Sequence, residues 1–152
     1  MIEAWRIVKD KYADSAFTGE GAARTSGRWN SKGLRVVYTS GTRSLAILET
    51  VVHLNPPVFF VFKIFRIAFN EKLVEELERG KLSNDWRALP APPSTRYLGD
   101  QWLRQARSAL LKVPSMIVAE ESNYLLNPNH RDFNQIEMGP PVDFMFDPRL
   151  MR

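Results

Sequence analysis

The sequence predicts an α/β chain of the mixed α+β kind: a mixed β-sheet with helices packed against it. Three observations lead there. Residues 58–69, VFFVFKIFRIAF, are aromatic and β-branched almost throughout, as a buried strand is. Around residue 44 the apolar pattern changes from alternation to helical spacing. The elements then follow the order β-β-α-β-α-α-β-β, which is not a regular βαβ repeat.

Taken in order, residues 2–9 (IEAWRIVK) have the mixed apolar character of a first strand. Residues 14–33, with Gly19, Gly21, Gly27 and Gly33, read as a long loop. A second strand, 34–40, would place Val36, Tyr38 and Ser40 on one face and Val37 and Thr39 on the other. From 44 to 54, Leu45, Leu48, Val51 and Val52 fall at helical spacing, with Ser40 or Thr42 as the cap and Asn55-Pro56-Pro57 as the stop. The aromatic strand follows. Asn70 is placed to cap a helix over 71–79 that Gly80 closes. Residues 81–95, with Pro90, Pro92 and Pro93, form a crossing loop. A further helix runs from Ser94 or Thr95 to about Lys112, turning Leu98, Trp102, Leu103, Ala106 and Leu110 to the core. A short strand at 113–119, turns across 122–140 and a last strand at 142–146 complete the chain, read as one domain over 1–152.

Composition narrows the chemistry. With 152 residues, 44% of them hydrophobic and 25% charged, the chain can bury a core without disulfide or metal staples. It has no cysteine, which removes thiolate metal sites and cysteine nucleophiles, and only two histidines, His53 and His130. No dedicated metal is expected. No segment approaches the roughly 20 apolar residues of a membrane span. The start, Met1-Ile2-Glu3-Ala4-Trp5-Arg6, lacks a signal-peptide layout, so the reading is cytoplasmic. GxGxxG, Walker and GxSxG motifs are missing. A net charge of +4 permits an anionic ligand or partner without demanding one.

The remaining signals are single residues. Gly27-Arg28-Trp29-Asn30 sets an arginine and a tryptophan in a glycine-rich loop where no periodicity needs them. Arg28 is either a solvated charge or a planar fork for phosphate or carboxylate. Tyr38 either buries its ring or stacks it on a flat ligand. Glu49 has Leu45, Ala46, Val52 and His53 at helical spacing, so it sits at the stripe's edge or is partly buried with a partner such as Arg28. His53 reads as a surface or packing residue. Arg24, Arg43 and Arg66 could extend a basic lining, and Ser115 and Asn123 could supply hydrogen bonds or only hold turns.

In order along the chain, Ala16-Phe17-Thr18-Gly19-Glu20-Gly21-Ala22, Gly27-Arg28-Trp29-Asn30, Val37-Tyr38-Thr39-Ser40, Leu45-Ala46-Ile47-Leu48-Glu49, Val52-His53-Leu54, Val113-Pro114-Ser115 and Asn123-Tyr124-Leu125-Leu126-Asn127-Pro128 resemble the RES domain. The family is named for its Arg, Glu and Ser and forms the toxin half of RES–Xre toxin–antitoxin pairs. The likeness spans nearly the whole chain and is weakest across 70–95. It implies an ADP-ribosyltransferase-toxin-like fold and consumption of NAD⁺, with ADP-ribose passing to water, inorganic phosphate or a protein. By motif, the resemblance puts the family's arginine on Arg28, its tyrosine on Tyr38, its glutamate on Glu49 and its serine on Ser115, with Ser122 the second choice. Trp29, Asn30, Ser40 and Asn123 would join Arg28 and Tyr38 around the dinucleotide. Ala119 departs from the family's proline. The implied partner is an Xre-like DNA-binding antitoxin, in an oligomeric complex, with no direct nucleic-acid or membrane contact. Two other readings compete. A basic nucleic-acid binder or RNA-cleaving toxin is motivated by a pI near 9.6 and 11% aromatics, and a non-catalytic interaction module is the third.

Overall fold

A single row of residues lying side by side across five strands organises the molecule. The structure is a computed structural model, and it describes residues 1–55 and 61–151. The strands are β1 (Ile2–Lys9), β2 (Val37–Ser40), β3 (Phe62–Phe69), β4 (Val74–Glu76), β5 (Leu110–Pro114), β6 (Ser122–Leu126), β7 (Glu137–Met138) and β8 (Val142–Phe144). They form one sheet in the order β4-β5-β6-β2-β1-β3-β7, with β8 also on β3. Only β4 and β5 run parallel; the other pairings are antiparallel. Register places Arg66, Trp5, Ser40, Asn123 and Val113 in that row, on one face of the sheet.

Two helices cover this face. α2 (Arg43–Val51) begins where the Thr42 hydroxyl accepts the Leu45 N–H at 3.0 Å, and it packs Ala46 against Ile7 and Phe62. α3 (Pro93–Gln105) starts on a proline at its first position and buries Trp102 and Leu103 against Val36, Leu111, Val113 and Leu125. The opposite face buries Ala4, Val37, Ile67, Phe69, Leu110 and Leu126. Each large side chain so buried contributes about 1.5–3 kcal/mol. Arg6 crosses that second layer, donating to Ala16 O at 2.7 Å and Tyr38 O at 3.0 Å, and burial lowers it to about 10. Phe62, Phe65 and Phe69 of the aromatic strand are buried, so they offer no stacking platform for bases. No helix among the described residues is long and apolar enough to cross a membrane.

The mixed sheet with flanking helices matches the expectation, and several boundaries do not. The expected loop 14–33 contains α1 (Glu20–Thr25), entered through Gly19 at φ 73°. The expected helix over 71–79 is a 3₁₀ turn, Glu71–Leu73, followed by β4. Asn70 does cap that turn, accepting the Lys72 N–H at 2.9 Å, but pairing with β5 overrides the helical propensity of the Glu/Lys run. α3 stops at Gln105 because Ala106 turns left-handed at φ 49°, and Leu110 lies in β5 rather than on a helix. The strand expected at 113–119 therefore starts earlier and ends at Pro114, and the turns expected across 122–140 hold β6 and β7. On α2, Leu48 and Val52 are exposed and Ala46 takes the buried place. Residues 58–60 of the aromatic run and the stop at Pro56-Pro57 lie outside the described residues.

One contact decides how α3 seats. A Cβ on Gly99 would lie 1.7 Å from the Trp29 carbonyl oxygen, so only glycine lets the helix backbone approach the loop. Gly99→Ala gains roughly 1 kcal/mol of helix propensity and loses more to overpacking, typically about 1–3 kcal/mol. A net loss of stability in urea melts is expected. A variant as stable as the parent would contradict this packing.

Candidate functional site

The site lies on the helix-covered face of the sheet, and it draws together residues far apart in sequence. Glu49 projects from α2. Ser115 immediately follows β5, is fully buried, and donates from Oγ to Glu49 Oε1 at 2.9 Å. Ser115 Oγ also accepts the backbone N–H groups of Ile117 and Val118, each at 3.1 Å. Ser115 is thereby locked in one orientation and holds the carboxylate in turn. Ser122 does not share this position. It lines a separate hollow of about 410 Å³ with Gly41, Thr42, Lys112 and Tyr124.

Arg28 enters from the loop after α1. It is partly buried, and its Nη1 donates to the Trp86 carbonyl at 2.9 Å. Burial lowers its pKa from the usual arginine value, while the nearby Glu49 carboxylate and Tyr38 favour its charge. Tyr38 projects from β2 on the same face. Its hydroxyl donates to Asn30 Oδ1 at 2.5 Å and accepts the Trp29 N–H at 3.2 Å. Burial pushes Tyr38 well above its ordinary value, Asp100 adds to the rise, and the Trp29 N–H and Arg28 oppose it.

The other residues named from the sequence divide into frame and floor. Trp29 is buried against Trp102 and the β5–β6 core. Asn30 is fully buried and engaged internally, donating to Ala22 O at 2.9 Å and Leu34 O at 3.1 Å while receiving Tyr38. These two build the loop, and the Asn30 amide is engaged within it. Ser40 and Asn123 are neighbours in the cross-sheet row, both buried. Asn123 Oδ1 and the indole N–H of Trp5, which flanks Ser40 on the other side, have no hydrogen-bond partner among the described residues. An orphaned acceptor and donor on one floor suit a polar ligand or bound water. His53 is exposed on the turn after α2, and no group of three or more metal-ligating side chains gathers among the described residues.

Sequence reasoning missed the residues that hold the loop. Thr95 Oγ1 donates to the Arg28 carbonyl at 2.6 Å, and the buried Asp100 accepts Ser31 N at 2.8 Å and Ser31 Oγ at 2.5 Å. Their signal was available: Thr95, Gly99 and Asp100 put small or polar residues on the buried stripe that Trp102 and Leu103 continue.

Comparison with known proteins identifies the family. The profile of the RES domain family matches residues 3–147. The chain belongs to the RES domain family. Relatives in that family include a Toxin Res of Yersinia enterocolitica, 39% identical over 148 residues that cover 96% of this chain and 97% of that one. A Prs ADP-ribosylating toxin of a Sphingobium species is 39% identical over 154 residues, covering 97% and 96%. This RES chain also shares its fold with a chain in the crystal structure of the M. tuberculosis MbcT–MbcA toxin–antitoxin complex. The TM-score is 0.78 at 17% identity, over 98% of this chain and 86% of that one.

The tyrosine's environment makes a prediction about alkaline stability. Below its ordinary value near 10, Tyr38 is neutral in both folded and unfolded chains; above it, only the unfolded chain ionises. Its contribution is therefore intact below about pH 10 and falls by up to ~1.4 kcal/mol per pH unit above it. Tyr38→Phe should cost about 1–3 kcal/mol at neutral pH, by stranding Asn30 Oδ1 and the Trp29 N–H, and should flatten the alkaline slope. Urea melts between about pH 8 and pH 11 read both effects; an unchanged slope contradicts the assignment.

Proposed function

We propose that this protein is the toxin of a toxin–antitoxin pair and that it consumes NAD⁺ by cleaving the nicotinamide–ribose bond. The family and the names of its relatives support a toxin, and the Sphingobium relative's name supports ADP-ribosyl chemistry. The observation that carries the chemistry is the 2.9 Å bond between Ser115 and Glu49, 66 residues apart in sequence.

Cleaving that bond develops positive charge on the ribose, and nicotinamide departs without needing a proton. One fixed carboxylate is then sufficient, because it stabilises the developing cation and holds a ribose hydroxyl. Ser115 occupies Oε1, which leaves Oε2 of Glu49 for the substrate. Arg28 supplies a planar cation for the pyrophosphate or the adjoining ribose. The Tyr38 hydroxyl is tied back to Asn30, so its ring is held steady as a stacking surface for nicotinamide. Asn123 and Ser40 form the floor, where the buried Asn123 Oδ1 has no hydrogen-bond partner among the described residues. ADP-ribose would pass to water, inorganic phosphate or a protein side chain. Loss of cellular NAD⁺ would arrest growth, and an Xre-like antitoxin would restrain the enzyme by covering the site.

The test is nicotinamide release from NAD⁺ by the purified protein without antitoxin, with and without phosphate, beside Glu49→Gln. The substitution should slow release about a hundredfold or more, as loss of one electrostatic stabiliser does. Phosphate dependence would name the acceptor. A well-folded Glu49→Gln protein that releases nicotinamide at the parent rate would overturn the reading.

A further inference from the structure

Three residues on one side of α3 grip the backbone that carries Arg28. Thr95 Oγ1 binds the Arg28 carbonyl at 2.6 Å, Gly99 lies against the Trp29 carbonyl, and Asp100 takes both Ser31 N at 2.8 Å and Ser31 Oγ at 2.5 Å. The loop is thus fixed at residues 28, 29 and 31, while Asn30 between them ties it to Tyr38. Among these anchors Asp100 alone is a carboxylate. It is 6% exposed, and no cation pairs with it among the described residues. Burying an ion without a countercharge is costly, and two charge-assisted hydrogen bonds to one loop residue are what offset it here. A neutral side chain would hold a structural turn without that desolvation. What the carboxylate adds is a stiffer hold on the loop that carries Arg28.

We propose that Asp100 is a positioning residue for Arg28: acting through Ser31, it fixes the loop so that the guanidinium meets the anionic part of the substrate. This rests on the NAD⁺ reading of the site. Asp100 touches no substrate itself, so its effect falls on substrate binding and is transmitted only while Arg28 is present.

The experiment is a double-mutant cycle. Asp100→Asn keeps the shape and removes the charge. Ser31→Ala removes only the hydroxyl bond and guards against a misfolded Asp100 variant. Each should raise KM for NAD⁺ about tenfold, as loss of one charge-assisted hydrogen bond does, and leave kcat within about twofold. In an Arg28→Ala background the same two changes should alter KM by less than about twofold. NAD⁺ binding to the Glu49→Gln protein, measured by calorimetry, should weaken in parallel. A second readout does not involve NAD⁺: the Arg28 Nε–H resonance should be sharp in the parent and broadened in both variants. Unchanged KM in folded variants, an equal effect without Arg28, or a fall in kcat alone would overturn the proposal. If the parent neither binds nor cleaves NAD⁺, the functional reading fails, and the Arg28 resonance still decides whether Asp100 orders the loop.

Discussion

The site depends on a close approach between two backbones. Where α3 passes Trp29 the carbonyl of the loop occupies the space of a Cβ, and Gly99 alone admits it. That approach brings Thr95 and Asp100, one turn before and one residue after, into hydrogen-bonding range of residues 28 and 31. It also buries the Trp29 ring against Trp102, so the loop is held by apolar area as well as by polar bonds. A glycine in a helix interior costs roughly 1 kcal/mol against alanine, and the loop's fixed course is what offsets it.

The opposite wall of the site solves a different problem. A carboxylate on α2 needs a partner when it is partly withdrawn from water, yet a cation in direct contact would neutralise it. Ser115 satisfies one oxygen with a neutral hydroxyl that two backbone N–H groups already polarise. The carboxylate in turn favours the charge on Arg28 from a distance, and the two form no ion pair among the described residues. The sheet row beneath, from Trp5 through Ser40 to Asn123, supplies an orphaned donor and acceptor, while the other buried side-chain polar atoms among the described residues have partners. The proposed cleavage of NAD⁺ would draw on this combination: one fixed carboxylate, a cation for phosphate and a polar floor.

The sequence made the sheet legible wherever alternation or aromatic density was strong. Tyr38 and Ser40 do share a face, and Thr42 does cap the helix of Glu49. Where pairing decides, local signals failed. Residues 71–79 have helix-forming side chains but sit beside β5, and the parallel ladder wins. Residues 110–112 continue the apolar stripe of α3, yet the left-handed Ala106 ends the helix before them. The ordered motifs picked out Arg28, Tyr38, Glu49 and Ser115, and the fold brings Ser115 rather than Ser122 to the glutamate. Trp29 and Asn30, expected around the dinucleotide, also brace the loop. Asp100 interrupts the apolar stripe of α3, but that local signal does not name its partner: its role needs Ser31, 69 residues away.

The most direct test of the account is a crystal structure of the Glu49→Gln protein with NAD⁺ bound. The account predicts a hydroxyl of the nicotinamide ribose about 3 Å from the side chain at position 49, with Arg28 on the pyrophosphate or the adjoining ribose. A dinucleotide bound with that ribose away from residue 49, or bound elsewhere on the molecule, would contradict it.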